Sequence, residues 1–212
     1  STADAASITL DGLTTPIAVN AQIQDAPKPI ASGIGNAVAS GLIWTGGEDL
    51  NASVTDRFIA WCFDLIHPVS LGATYDYEVV DAPFSNSYLL EGADVRVSSL
   101  FNANYDTLET TDPVQAAAFQ LAVWEVANDN DFDLASGVFQ ASGYGIDAAD
   151  ITATAQSFLS GGVDYHGPEN WQTFFLETRE SKGTQNLVTA VRAPELTPVP
   201  LPASGLFLFA GL

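Results

Sequence analysis

The hydrophobic pattern changes twice along this chain, and these changes restrict the fold more than any other sequence feature. Apolar and polar residues alternate near the start, through Ile17, Val19 and Ala21, which is typical of a half-buried strand. The same criteria predict further strands in four segments: 58–66, 75–80, 171–177 and 186–192. Strand patterns therefore dominate both ends of the chain.

A block with helical spacing lies between these strands. Helices are predicted in three segments: 94–104, 112–128 and 148–159. The second starts with an N-cap candidate, Asp112, followed by Pro113 in the first turn. We therefore predict a mainly β, α+β fold: an antiparallel β-sandwich or barrel with a helical insertion near residues 94–160. A chain of 212 residues that is 47% hydrophobic can bury one such core.

The charge balance excludes one class of partner. The chain has 26 acidic and six basic residues, for a net charge of −20. Such a charge repels phosphate backbones and anionic lipid surfaces, so we expect no nucleic-acid partner. Charged residues make up only 15% of the chain, which is not the composition of a disordered protein. The acidic surface favours solubility in an extracellular medium.

The start of the chain favours export. The first residues, Ser1-Thr2-Ala3, contain neither an initiator Met nor an apolar targeting core. This pattern is expected of a mature N-terminus after removal of a signal peptide.

Two short motifs point to one chemistry. Cys62, the single cysteine, lies in the apolar strand segment, and Gln120 lies on the apolar second helix. A thiolate that attacks the side-chain carbonyl of a glutamine expels ammonia and leaves an internal thioester. Such a bond stores an acyl electrophile that an amine can open, and it requires burial and precise positioning.

These motifs resemble those of the bacterial surface thioester domains of adhesins. That family carries a cysteine after an aromatic or aliphatic residue, as in Trp61-Cys62, and the pattern apolar-Gln-x-x-apolar-Trp, as in 119–124. The resemblance covers roughly residues 58–133. It implies a β-sandwich with a helical insertion, surface exposure and covalent attachment to host or neighbouring molecules. It also implies that Cys62 is the thiol partner, that Gln120 is the acyl donor, and that Phe119 and Trp124 shield the bond.

A structural interpretation of the same residues stays open. Cysteine is among the most frequently buried residues in proteins, and a glutamine on a helix can hydrogen-bond to a sheet edge. Under this interpretation Cys62 and Gln120 are core residues without chemistry.

The C-terminus resembles a second signature. Val199-Pro200-Leu201-Pro202-Ala203 is similar to the VPLPA variant of the PEP-CTERM sorting signal, which implies export from a Gram-negative bacterium to the envelope or biofilm matrix. We predict a globular domain at 1–192, a proline-rich linker at 193–203 and an apolar tail at 204–212. This tail is too short to span a bilayer, so it could instead join a neighbouring subunit as an added strand and build a filament.

An acidic run follows the second helix. Asp129, Asp131 and Asp133 occupy alternate positions and offer the oxygen ligands that Ca²⁺ prefers. Leu134 stands where an EF-hand loop has glycine, so the run is not an EF-hand. The alternative is a solvated helix end that uses Asn and Asp as turn formers.

The function that we predict is structural or adhesive, not enzymatic, because no nucleophile–base signature is visible. The protein is expected outside the cell or on its surface, with contact to the membrane only through the sorting signal. It would bind an amine-bearing surface ligand covalently through Cys62 and Gln120, or associate with copies of itself. The alternative is a self-assembling subunit of a filament or matrix, joined through its apolar tail without thioester chemistry.

Overall fold

A computed structural model describes residues 5–23, 37–51, 53–65, 67–80, 90–178 and 184–194. Within these ranges the strands are β1 Ala6–Leu13, β2 Ile17–Ile23, β3 Ala37–Ala39, β4 Leu42–Thr45, β5 Arg57–Cys62, β6 Thr74–Val80, β7 Phe139–Gly143, β8 Trp171–Thr178 and β9 Leu187–Arg192. The helices are α1 Gly47–Leu50, α2 Ala93–Asn104, α3 Pro113–Asn128 and α4 Ala148–Gly162.

Six of the strands close into an antiparallel barrel in the order β1-β4-β5-β9-β8-β6. Closure pairs every strand of the barrel on both sides, which removes exposed edges. The core includes the buried rings of Trp44 and Tyr77, whose centroids lie 5.7 Å apart in an edge-to-face contact. The predicted fold class is confirmed, and of its two variants the structure forms the barrel.

The helical insertion lies between β6 and β8, as predicted, and it supplies one strand, β7, of a second sheet whose other two strands lie between β1 and β4 in the chain. That sheet has the order β3-β2-β7. Helix α3 is buried continuously from Ala116 to Asn128, because small alanine side chains let the neighbouring elements approach closely. Its start is confirmed as well: Asp112 accepts hydrogen bonds from the backbone N–H groups of Val114 and Gln115 at 2.9 and 3.0 Å.

Strand β5, which contains Cys62, is shorter than the apolar pattern of its sequence indicates. We predicted a strand through 58–66, but β5 ends at Cys62. Just beyond it, the carboxylate of Asp64 accepts the backbone N–H of His67 at 3.0 Å, which bends the chain into a turn. Strand β7 has no counterpart in the sequence-based prediction, because it has only five residues.

None of the helices in the described part of the chain is long and apolar enough to cross a membrane. The predicted linker beyond residue 194 and the apolar tail at 204–212 lie outside the described residues.

Candidate functional site

The structure brings Gln120 of α3 against Cys62 at the end of β5, although 58 positions separate them in the chain. The backbone N–H of Cys62 donates to Oε1 of Gln120 at 2.9 Å, and Nε2 of Gln120 donates to the backbone carbonyl of Cys62 at 2.7 Å. Both atoms of the side-chain amide are thus engaged by one residue. The amide carbon Cδ lies between them, beside the residue that carries the thiol.

This contact exists because β4 begins only at Leu42 and so does not extend alongside Cys62. The last pair between the two strands joins Leu42 to Ala60. On the opposite edge, the N–H of Phe63 donates to the carbonyl of Asn186 at 2.9 Å. The N–H and carbonyl of Cys62 therefore point to the edge of β5 that β4 does not cover. Buried backbone groups such as these need hydrogen-bond partners. The amide of Gln120 takes the place of the missing strand.

The site is nearly closed to solvent. Gln120 is fully buried, and Cys62 is 6% exposed. Burial, and then the negative charge of Asp64, raise the pKa of the Cys62 thiol far above its ordinary value, whereas a hydrogen bond from the side chain of Gln185 opposes this shift. Cys62 is therefore a neutral thiol at physiological pH.

Two residues near the thiol were not predicted from the sequence. Asp64 is 5% exposed, and its Oδ2 accepts the backbone N–H of Asn186 at 2.9 Å. Burial raises the pKa of Asp64, although the hydrogen bonds to its carboxylate act to lower it. Gln185 donates from Nε2 to the backbone carbonyl of Asp64 at 2.6 Å. The position of Asp64, two residues after Cys62, was a usable signal, whereas Gln185 has no local motif that marks it.

The predicted shielding residues occupy different places. Phe119 is fully buried, and its ring lies 4.9 Å from that of Trp61. Trp61 directly precedes Cys62 on β5, and Phe119 directly precedes Gln120 on α3, so this aromatic pair packs beside the two candidate residues. Trp124 is 2% exposed and follows Gln120 by one helical turn on the same face of α3.

The acidic run forms a compact loop after α3, with one unexpected member. Oxygens of Glu125, Asp129 and Asp131 all lie within 4.8 Å of one another. The carboxylate of Asp133 is not in this group, and it accepts hydrogen bonds from the N–H of Ala135 and the hydroxyl of Ser136. Of the three aspartates proposed as calcium ligands, the structure therefore groups two, and it adds a glutamate from the helix.

Backbone amides hold Asp129 in place. Its Oδ1 accepts the N–H of Asn130 at 2.7 Å, and its Oδ2 accepts those of Val138 and Phe139. Gly137 has a φ of +75°, and a Cβ at this position would lie 2.1 Å from Oδ2 of Asp129. Only glycine fits there without a rearrangement.

Comparison with known proteins gives structural similarity but no family. No family model matches the chain. No curated protein matches it either. The N-terminal domain of the Streptococcus pyogenes pilus tip adhesin Cpa has a TM-score of 0.43 at 12% identity, over 84% of this chain and 95% of that one. The N-terminal thioester domain of fibronectin-binding protein SfbI from Streptococcus pyogenes has a TM-score of 0.46 at 11% identity, over the same shares of the two chains. The chain's own strand pairing forms an antiparallel barrel that carries a helical insertion, and Cys62 and Gln120 lie at the contact between the two.

Proposed function

We propose that this protein is an extracellular adhesive or structural domain that forms an internal thioester between Sγ of Cys62 and Cδ of Gln120. The observation that supports the proposal is the pair of hydrogen bonds between the Gln120 amide and the backbone of Cys62 in a buried site. A reaction between two side chains is fastest when a rigid scaffold holds them together before it starts.

The hydrogen bonds also suit the chemistry. In the reaction Sγ bonds to Cδ, the bond from Cδ to Nε2 breaks, and the thiol proton leaves with Nε2 as ammonia. The N–H of Cys62 already donates to Oε1 of Gln120, where negative charge develops in the tetrahedral intermediate. A donor placed there in advance stabilises that charge.

Asp64 would assist by moving the proton. Asp64 lies two residues after Cys62, and its negative charge adds to the effect of burial in raising the pKa of the thiol. A carboxylate whose own pKa is raised by burial is a stronger base than a solvated one, so it can accept the thiol proton and return it to the leaving nitrogen.

Opening of the bond would attach the protein to its target. The nitrogen of a primary amine on a partner attacks Cδ, the bond from Cδ to Sγ breaks, and the proton of the amine returns to the thiol. The product is an amide between Gln120 and the partner. The low exposure of Cys62 would protect the thioester from water until such an amine is held against it.

The site of action follows from the C-terminal signature. We propose that the protein is exported from a Gram-negative cell and sorted through the segment at 199–205, so that it works at the cell surface or in the biofilm matrix. This part of the proposal depends on residues outside the described ranges.

Intact mass spectrometry of freshly purified protein tests the proposal. We expect a mass lower than that of the sequence by one ammonia, and addition of the whole amine after treatment with methylamine. Gln115→Ala, on the same helix, should keep both properties, whereas Cys62→Ala and Gln120→Ala should lose both while circular dichroism shows that they fold.

The full sequence mass and no reaction with methylamine in the wild-type protein would refute the thioester. Cys62 and Gln120 would then be structural, and the self-assembling subunit would become the better hypothesis. Sedimentation of the protein with and without residues 204–212 would test that alternative.

A further inference from the structure

A buried carboxylate at the end of α3 has no hydrogen-bond donor for one of its oxygens. Glu125 is fully buried, and its Oε1 accepts the backbone N–H of Asp133 at 3.2 Å. Its Oε2 is buried as well and receives no donor from the described residues. A buried acceptor without a partner is costly, and more so when it carries charge.

Neighbouring carboxylates increase the cost of burying a negative charge on Glu125. Oxygens of Asp129 and Asp131 lie within 4.8 Å of an oxygen of Glu125, so three carboxylates meet at one point. The nearby guanidinium of Arg96 donates to the backbone carbonyls of Leu90, Glu91 and Val126. Carboxylates in such contact repel one another unless a cation or a shared proton lies between them.

We propose that Glu125, Asp129 and Asp131 bind a calcium ion. Calcium takes six to eight oxygens at about 2.3–2.6 Å, so two oxygens on opposite sides of one ion are about 4.6–5.2 Å apart. The three carboxylate oxygens all lie within 4.8 Å of one another, so one calcium ion can contact all three. Magnesium, with oxygens at about 2.0–2.1 Å, requires a tighter and more regular cage. Asp131 is exposed, so water can complete the coordination from its side.

The ion would join two elements of the insertion. Glu125 belongs to the last turn of α3, while Asp129 accepts the N–H of Phe139 at 3.1 Å at the first residue of β7. Phe139 is fully buried and pairs with Ile23 of β2. Calcium at this point would therefore fix the junction of α3 with the smaller sheet. This role does not depend on thioester formation.

Thermal unfolding and isothermal titration calorimetry of the whole protein test the site, with CaCl₂ as the probe and EGTA as the reference condition. We expect saturable binding of one ion and a Tm that is about 5–10 °C higher at a Ca²⁺ concentration about 100 times the Kd. Asp131→Asn, at an exposed position, should lose most of this shift while keeping the fold.

Glu125→Gln adds an independent test. It should abolish the Ca²⁺ response, and its Tm in EGTA should equal or exceed that of the wild type because one of the repelling charges is gone. Asp150→Asn, an exposed acid in the first turn of α4, serves as the control and should respond to Ca²⁺ as the wild type does.

Two results would overturn the proposal. One is the absence of both a binding heat and a Ca²⁺-dependent Tm shift in the wild-type protein, which would mean that the carboxylates share a proton instead. The other is an equal shift with MgCl₂ at the same concentration, which would contradict selection of calcium by the size of the site.

Discussion

The stability of a Cys62→Ala variant distinguishes a covalent site from a purely structural one. The two hydrogen bonds between Cys62 and Gln120 use only backbone atoms of Cys62, one as donor and one as acceptor, so they survive the substitution. What the variant loses without a thioester is the packing of one buried sulfur atom, worth about 1 kcal/mol. If the wild-type protein forms the thioester, the variant also loses a covalent cross-link.

The size of that second contribution follows from the chain. The cross-link would join residues 58 positions apart. Treated like a disulfide, a loop of this length lowers the entropy of the unfolded chain enough to stabilise the native state by about 4 kcal/mol. Cys62→Ala should therefore cost about 5 kcal/mol, which corresponds to a fall in Tm of about 10–20 °C for a chain of this size.

Urea unfolding followed by tryptophan fluorescence measures this difference. Wild-type protein treated with methylamine provides an internal check, because opening the thioester removes the cross-link without a mutation. Its free energy of unfolding should fall by about 4 kcal/mol, close to the loss in Cys62→Ala. A cost near 1 kcal/mol for Cys62→Ala, together with no effect of methylamine, would refute the reasoning.

Three further predictions concern single residues of the scaffold, and each is measured as a change in the free energy of unfolding. In a Cys62→Ala background, where no cross-link can form, Gln120→Leu should cost about 2–6 kcal/mol because it leaves two buried backbone groups of residue 62 without partners. Gln115→Leu on the same helix should cost less than about 1 kcal/mol in that background, and equal costs would contradict the capping role. Gly137→Ala should cost about 1–3 kcal/mol because the left-handed backbone and the carboxylate of Asp129 leave no room for a methyl group, and a neutral result would show that the loop rearranges freely. Asp112→Ala should cost about 1–2 kcal/mol through loss of the N-cap of α3, and an unchanged midpoint would mean that water replaces the cap.

Several features of the fold were predictable because neighbours along the chain decide them. The three longer helices and the late strands lie within a few residues of their predicted positions, since periodicity and capping act over short distances. The start of α3 is the clearest case, because Asp112 and Pro113 both favour a helix that begins there.

The candidate site was predictable only in part. The motifs around Cys62 and Gln120 mark the two residues as a pair, and the structure places them in contact. Asp64 and Gln185 were missed because their roles depend on the turn after β5 and on its pairing with β9. The sequence also predicted Asp133 as a member of the acidic group, whereas the structure has Glu125 in that place. The last turn of α3 directs Glu125 towards the loop, and the alternation of acidic residues in the sequence does not reveal that contact.

The sequence by itself determined the α+β composition, the position of the helical insertion and the acidic charge, because each depends on local pattern or on residue counts. Only the tertiary structure decided that the strands close into a barrel, that β4 does not extend alongside Cys62, and that Gln120 fills the gap. It also brought three carboxylates together at the end of α3. These outcomes depend on strand register and on contacts between residues far apart in the chain, where no local preference selects one partner over another.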